Sequence, residues 1–530
     1  MCRVLVVAPW GFPGSWRDAY YKDPLSGRVV FSCSSLVYIL CFLRSSSGLL
    51  SESSCGDYEA RVYLLVLESI ADYDKVNKKR DSLCSGVFYE VFERRGVKER
   101  YIDCLGKRYG KNCYKEISDA LKEFINRIYE ESIDKSKVSC EISELPIIEP
   151  IILPAIGKPG VEITYLRDVG DFKSLALMEL SKKLFIEDNY LFNELIIDLS
   201  HGINFMPAAT YELAYELASL SLLASRSRDT PDEKKSGRKG VRIRVYNSDP
   251  TPPREAQEKT PVLRMNIVRD FELREIYLPK DEISKIIDLR GETSETVIKS
   301  IDHVRGIIQE VIPKILRSLI RPYPLLLIYF SKYFIDKQFS DFKNYLDAIE
   351  DTWYQSNKWD QNNKTLKKTM YIIPEDLYLV LLSYTVAKFI KDSGVTNRLD
   401  DIEILAKEIY SDISVIHEEL ITHEISRIRE CAKKLESGGA DSSSGRSILL
   451  ADAYGLCQGQ GGAALRIRGQ PDKRVMIAHA GFQSEYVLID FRDKDIYLRY
   501  VDPRSGSVKP FDLENIDIKH LNEVFGGVLS

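Results

Sequence analysis

No stretch of the chain is long and apolar enough to cross a bilayer. The longest apolar runs cover residues 36–43 and 324–330, against the roughly 20 residues a spanning helix needs. The opening MCRVLVVAPW is too short an apolar run for a secretion signal, and no small-residue cleavage site follows it; it reads as a buried strand. Neither sign of charge is in surplus, since 74 basic and 79 acidic residues leave a net −5. Bulk electrostatic binding of long duplex DNA is thereby disfavoured, while a local basic patch stays open. The ten cysteines include no CxxC pair, and eight fall at irregular spacings before residue 141. A zinc site needs tighter pairing, so no metal is expected. Most cysteines read as small buried hydrophobes. Few glutamines and dense charge also suit a thermophile, in which one or two pairs could be disulfides. Neither GxGxxG nor the GxxxxGK[ST] loop occurs, which disfavours an ordinary dinucleotide or ATP site. A soluble, cytoplasmic protein without membrane partners is the expectation.

What is present suffices for several cores. The 530 residues are 44% hydrophobic and 29% charged, which suggests two to four domains and excludes wholesale disorder. The first half alternates strand and helix patterns. Buried runs at 3–8, 61–67, 194–199 and 241–246 are separated by helical patterns at 32–43, 86–95, 114–131, 172–185 and 205–224, with an extended, proline-broken stretch at 138–156. Strands apolar on both faces argue for a mostly parallel sheet covered on both sides. Residues 226–239 read as a solvated loop, and 249–261, with four prolines, as a boundary. Beyond about 280 the pattern turns helical. Apolar residues at 402, 405, 409, 413, 416, 420, 425 and 428 predict one long amphipathic helix. The Ser- and Gly-rich stretch 436–462 reads as a flexible connection. Residues 486–491 and 496–501 flank a turn and predict a β-hairpin. The expected organisation is α/β plus all-α: 1–260 as a domain on a mostly parallel sheet, 261–300 as a connecting helical region, and 301–530 as a helical domain with insertions.

Two strand exits carry small polar residues. The first strand runs into Pro9, Trp10, Gly11, Phe12, Pro13, Gly14, Ser15 and Trp16; a later one runs into Ser200, His201, Gly202, Ile203 and Asn204, directly before a helix. In an open parallel sheet, ligands bind beyond the carboxyl ends of the strands. A helix start preceded by Ser, Gly and Asn offers N–H and hydroxyl donors to an anion, and two tryptophans could stack on a base. Asn204 fits an N-cap, with Pro207 in the first turn. A tight turn plus cap, with His201 bonded locally, fits the same residues. Asp198 reads as a structural carboxylate.

The segment Asp198-Leu-Ser-His-Gly-Ile-Asn204 resembles the D-x-[ST]-H-G-x-N signature of CARF domains, and Ala8-Pro-Trp-Gly-Phe-Pro13 is also similar to that family. CARF domains are Rossmann-like sensors of CRISPR systems. The resemblance implies a homodimer, or a higher homo-oligomer, that binds a cyclic oligoadenylate such as cyclic tetra-adenylate across its two-fold axis. Trp10, Gly11, Pro13, Gly14, Ser15, Trp16, Ser200, His201, Gly202 and Asn204 would be the ligand-binding residues. A symmetric ring suits a symmetric site.

Near the other end, Arg474 and His479 form an R-x4-H pair, and no other histidine has an arginine five to seven residues upstream. Spacing alone fits equally a surface arginine at the start of a short helix with a histidine packed nearby. Gly469-Gln-Pro471 places the helix start at about Pro471, so Arg474 falls in or near its first turn. His479-Ala-Gly-Phe after R-x4 resembles the HEPN motif of the CARF–HEPN ribonucleases of type III CRISPR systems, the Csx and Csm groups. A CARF-like motif in the same chain strengthens that resemblance, which covers both ends and leaves 320–460 unmatched. It implies a metal-independent endoribonuclease of antiviral defence that cleaves single-stranded RNA, leaves 2′,3′-cyclic phosphate and 5′-hydroxyl ends, uses no cofactor, and stays silent until its activator binds. The chemistry suits the residues. Histidine exchanges protons near neutrality, and arginine binds phosphoryl oxygens as charge develops. Five helical residues turn the pair about 140° off one face, a difficulty removed if two protomers share one composite site.

His417 and His423, in HEELITHE, are six residues apart and not the four a zincin helix uses. His303 and His520 lack neighbouring candidates, and Arg466 and Arg468 could touch RNA phosphates or simply be solvated. Two alternatives stay open: a CARF sensor or nucleic-acid-binding regulator without nuclease activity, and a ring nuclease that degrades cyclic oligoadenylate.

Overall fold

The computed structural model describes residues 2–43, 58–74, 81–107, 109–136, 146–226, 240–250, 260–284, 286–289, 311–437, 447–458, 470–492, 495–502, 509–513 and 516–529. The expected loop at 226–239 and boundary at 249–261 lie mostly outside these residues, as do His303, Arg466 and Arg468.

The N-terminal half is built on β1 (Cys2–Trp10), β2 (Ala19–Lys22), β3 (Val29–Ser32), β4 (Tyr58–Leu67), β5 (Ile147–Leu153), β6 (Thr164–Leu166), β7 (Glu194–Asp198), β8 (Val241–Ser248) and β9 (Val262–Leu273). All but β6 join one eight-stranded sheet of order β3-β2-β9-β8-β7-β1-β4-β5. The run from β8 to β5 is parallel throughout. As the doubly apolar strands required, Val4–Ala8 of β1 and all of β7 are buried, so both faces are covered. The helix Met206–Ser225 packs on β1, β7 and β8, while Lys115–Ser136 packs on β3 and β5. β9 falls within the stretch expected to connect the domains, yet it pairs with β8 and β2 inside this sheet.

The C-terminal half is helical, with small strands: β10 (Ile287–Leu289), β11 (Asn357–Asp360), β12 (Thr365–Lys368), β13 (Met370–Ile372), β14 (Ser447–Leu449), β15 (Val487–Arg492), β16 (Asp495–Asp502) and β17 (Lys509–Pro510). The expected hairpin is β15–β16, paired antiparallel from Val487–Tyr500 to Arg492–Asp495. The single long helix expected over 402–428 is broken. A helix Leu399–Leu405 passes through a wider turn, Ala406–Tyr410, and the chain turns extended at Ser414 (φ −165°, ψ 131°) before Val415–Ser437. The Ser414 carbonyl accepts the N–H groups of His417 and Glu418 and restarts the helix in a new direction. Ile416, counted on the buried stripe, is therefore 65% exposed. The stretch read as flexible holds β14 and the helix Leu450–Cys457.

The halves share a buried interface. The helices Val169–Ser181 and Met206–Ser225 pack on Pro374–Asp392, and β6 pairs with β12. Arg167 is fully buried, ion-paired with Glu68 and hydrogen-bonded to Asn357 of β11. Charge buried at this depth persists only when paired and hydrogen-bonded. Cysteines expected mainly as hydrophobes form the disulfides Cys33–Cys84, Cys104–Cys113 and Cys431–Cys457, with Cα separations of 5.7, 5.5 and 5.6 Å, inside the normal range. Among the described residues, no helix is long and apolar enough to cross a membrane.

Candidate sensor and ribonuclease sites

The two small-residue strand exits meet. The Gly11 N–H at the end of β1 donates to the His201 carbonyl beyond β7, at 2.8 Å. Within the parallel run of the sheet, β1 is followed by β4 on one side and β7 by β8 on the other, the switch point where α/β sheets bind ligands. Contact is close enough to demand glycine twice. A Cβ on Gly11 would lie 2.6 Å from Ile203 Cγ2, and one on Gly202 would lie 2.8 Å from Pro207 Cγ.

A buried polar cluster holds the second exit in place. Asp198 is 1% exposed; it accepts the Ser35 hydroxyl at 2.6 Å and the Ser200 N–H at 3.1 Å. Burial pushes its carboxyl up, and the bonds from Ser200 and Ser35 oppose this. The structural role expected of Asp198 is what its contacts describe. Ser200 Oγ accepts the Ser248 N–H at 3.0 Å. Ser35 N–H donates to His201 Nε2 at 3.0 Å, so that nitrogen carries no proton, and the Tyr21 hydroxyl lies 3.2 Å from it. Burial pushes the His201 imidazole down to about 3. The ring is therefore neutral at ordinary pH and cannot offer a positive charge to an anion.

Beside this turn, a cavity of about 200 Å³ is walled by Trp10, Gly11, Phe12, Ile203, Tyr73 and Tyr89, with Ser69, Asp72 and Asp74 as polar groups. Trp10 is 1% exposed and edge-on to Trp16 and Phe124, so it is a wall and not an open stacking surface. Trp16 is half-buried, its ring 4.1 Å from that of His201. Pro13, Gly14 and Ser15 form a short 3-10 turn, in which Ser15 Oγ donates to the Phe12 carbonyl. Asn204 is not the expected cap. It sits at φ 50°, exposed, and the helix starts after Phe205 with no side-chain cap. A short amide side chain tolerates this left-handed conformation, which lets the chain reverse into the helix. The walls after β4 were not singled out from sequence. The strand-exit rule, applied to the run 61–67 as well, would have reached them.

At the other site, Asp472 caps the helix Lys473–Ala478, accepting the N–H groups of Arg474 and Val475 at 2.8 and 3.1 Å. The helix thus starts where Gly469-Gln-Pro471 placed it. Arg474 is exposed in the first turn and makes no ion pair among the described residues. His479 ends the helix. Ala480 follows at φ 49°, and Gly481 N–H returns to the Met476 carbonyl at 2.7 Å, a Schellman ending. Phe482 then enters the core, and the Tyr500 hydroxyl holds the Gly481 carbonyl at 2.8 Å. The His479 side chain stays 42% exposed, with Nδ1 3.2 Å from Oε1 of Glu424. His417 is half-buried against Tyr410, and the neighbouring His423 is exposed.

The fold and both sites define a CARF–HEPN protein. The family model described as "CRISPR system endoribonuclease Csx1, CARF domain" matches residues 5–250, and that described as "CRISPR system endoribonuclease Csx1, HEPN domain" matches residues 414–503. The chain belongs to the Csx1 family. A relative from Methanocaldococcus jannaschii, named CRISPR system endoribonuclease Csx1, is 23% identical over 456 residues, which is 80% of this chain and 78% of the relative.

Proposed function

We propose that this protein is an endoribonuclease of type III CRISPR defence, switched on by cyclic oligoadenylate. One observation carries the reading. Within the HEPN-matching segment, His479 is half-exposed with one ring nitrogen bonded to a buried carboxylate, and the exposed guanidinium of Arg474 lies on the same short helix. Such a histidine takes the proton of an RNA 2′-hydroxyl as its oxygen attacks phosphorus. The bond from phosphorus to the 5′-oxygen breaks, and the proton returns to that leaving oxygen. Arg474 holds the phosphoryl oxygens while charge builds. The nucleophile belongs to the RNA, so the reaction runs without metal and leaves 2′,3′-cyclic phosphate and 5′-hydroxyl ends.

The active form is a homodimer. Val475 and Ile477, on the same helix as Arg474, are 37% and 38% exposed, which supports a second copy covering this face and sharing the site. The activator, with cyclic tetra-adenylate as first choice, binds at the Gly11–His201 junction and the cavity beside it. The ring-nuclease alternative gains nothing from His201, whose Nε2 already accepts a backbone N–H. The test is incubation of single-stranded RNA with and without cyclic tetra-adenylate, in EDTA. Cleavage only with activator, unaffected by chelation and ending in cyclic phosphate, is expected. Ends bearing a 5′-phosphate would instead point to an activated water.

A further inference from the structure

The sequence 417–424 drew notice only as a metal helix that fails its spacing, yet its last residue reaches the candidate nuclease site. We propose that Glu424 is the positioning residue for His479, fixing which ring nitrogen carries the proton. This rests on the ribonuclease reading above. Glu424 is 4% exposed on the helix Val415–Ser437, 55 residues from His479 in sequence. A carboxylate only accepts, so His479 Nδ1 carries the proton and Nε2 is left with a free lone pair, the atom a general base needs. An imidazole without such a partner holds its proton mainly on Nε2, where it blocks that role. A buried acid beside histidine does the same work in hydrolytic triads, where losing it costs about 10⁴-fold in turnover.

The carboxylate is itself held from behind. Arg427, one turn further on, donates to both Glu424 oxygens at 2.9 and 3.2 Å. Its guanidinium lies 5.0 Å from the centre of the Tyr454 ring. Tyr454 stands on the helix Leu450–Cys457, which the Cys431–Cys457 disulfide ties back to the helix bearing Glu424. Both partners of the His479 bond are thus anchored, one by this brace and the other by the helix ending at Gly481.

The experiment uses full-length protein labelled with ¹⁵N-histidine, with His479→Ala identifying the His479 signals. In the wild type, ¹⁵N spectra should show the Nδ1–H form. Glu424→Ala and the isosteric Glu424→Gln should move the proton toward Nε2. With activator, turnover should fall about 10²-fold or more in both, while the KM for RNA and the activator dose curve stay near wild type. Glu424→Gln keeps the side-chain shape and guards against a folding artefact. Wild-type protein that cleaves RNA, but whose tautomer and turnover are unmoved by Glu424→Gln, overturns this role alone. Wild-type protein that cleaves no RNA overturns the ribonuclease reading, and this role with it.

Discussion

Arg226 and Asp412 form a two-point ion pair, Nε to Oδ2 at 2.9 Å and Nη2 to Oδ1 at 3.3 Å, with both side chains at most 3% exposed. Arg226 closes the helix Met206–Ser225, which begins at the sensor turn. Asp412 lies just before the break at Ser414, where the helix bearing Glu424 begins. One helix therefore spans the distance from the sensor turn to the root of the candidate nuclease site. The pair joins the end of one helix to the segment before the other; coupling between the two ends would further need two states that a ligand distinguishes.

Removing one member of a buried ion pair costs about 3–5 kcal/mol. Arg226→Ala should therefore lower the denaturant midpoint sharply. Replacing both members, as Arg226→Met with Asp412→Leu, should recover most of the loss, because an apolar pair of similar volume carries no desolvation penalty. A double variant no better than the single one would show that the ion pair is not what stabilises this contact.

His201 makes stability depend on pH. Its folded value, about 3, lies below the unfolded 6.5, so the unfolded chain binds the extra proton between these limits. The stabilisation is complete above about pH 6.5 and is lost as pH falls, by up to ~1.4 kcal/mol per unit. Urea midpoints at pH 7 and pH 5 should differ more for the wild type than for His201→Gln, whose amide oxygen can still accept the Ser35 N–H. Equal slopes would mean that His201 is solvated and free to titrate.

Ser200→Ala with Asn204→Ala tests the sensor turn. The first change orphans the Ser248 N–H, at about 1 kcal/mol, and the second puts alanine at a left-handed position, at about 1–2 kcal/mol. Melting must therefore be followed beside binding. The folded variant should shift the activator dose curve to higher concentration and regain full RNA cleavage at saturation, because the Arg474–His479 helix is untouched. Normal affinity for cyclic tetra-adenylate would reduce the turn to a structural element.

Local signals carried much of this architecture. The β-branched run at 3–8, the SHGIN turn, the helix start after Pro471 and the hairpin around 492–495 depend on neighbours in the chain, and each could be read there. Long-range features could not. Glu424 lies on a helix whose histidines have the wrong spacing for a metal site, and only the fold brings it to His479. Ser414 breaks a helix whose apolar spacing is continuous on both sides, because the packing of Asp412 against Arg226 and Ile276 redirects the chain. Asn204 has a good capping side chain, but the demand for a left-handed reversal after Gly202 takes precedence over capping. Trp10 ends a strand and Trp16 lies six residues further on, and nothing in the sequence says that the first becomes core while the second covers His201. The disulfide partners are likewise set by tertiary proximity, which irregular spacing does not encode.

The most direct test compares wild type with His479→Ala on single-stranded RNA, with saturating cyclic tetra-adenylate and EDTA, while activator binding is measured on the same samples. Acid–base catalysis by a positioned histidine is worth about 10²–10⁴-fold, so the variant should lose at least two orders of magnitude in cleavage and bind activator as the wild type does. Cleavage within a few-fold of wild type would remove His479 from the chemistry and contradict the account.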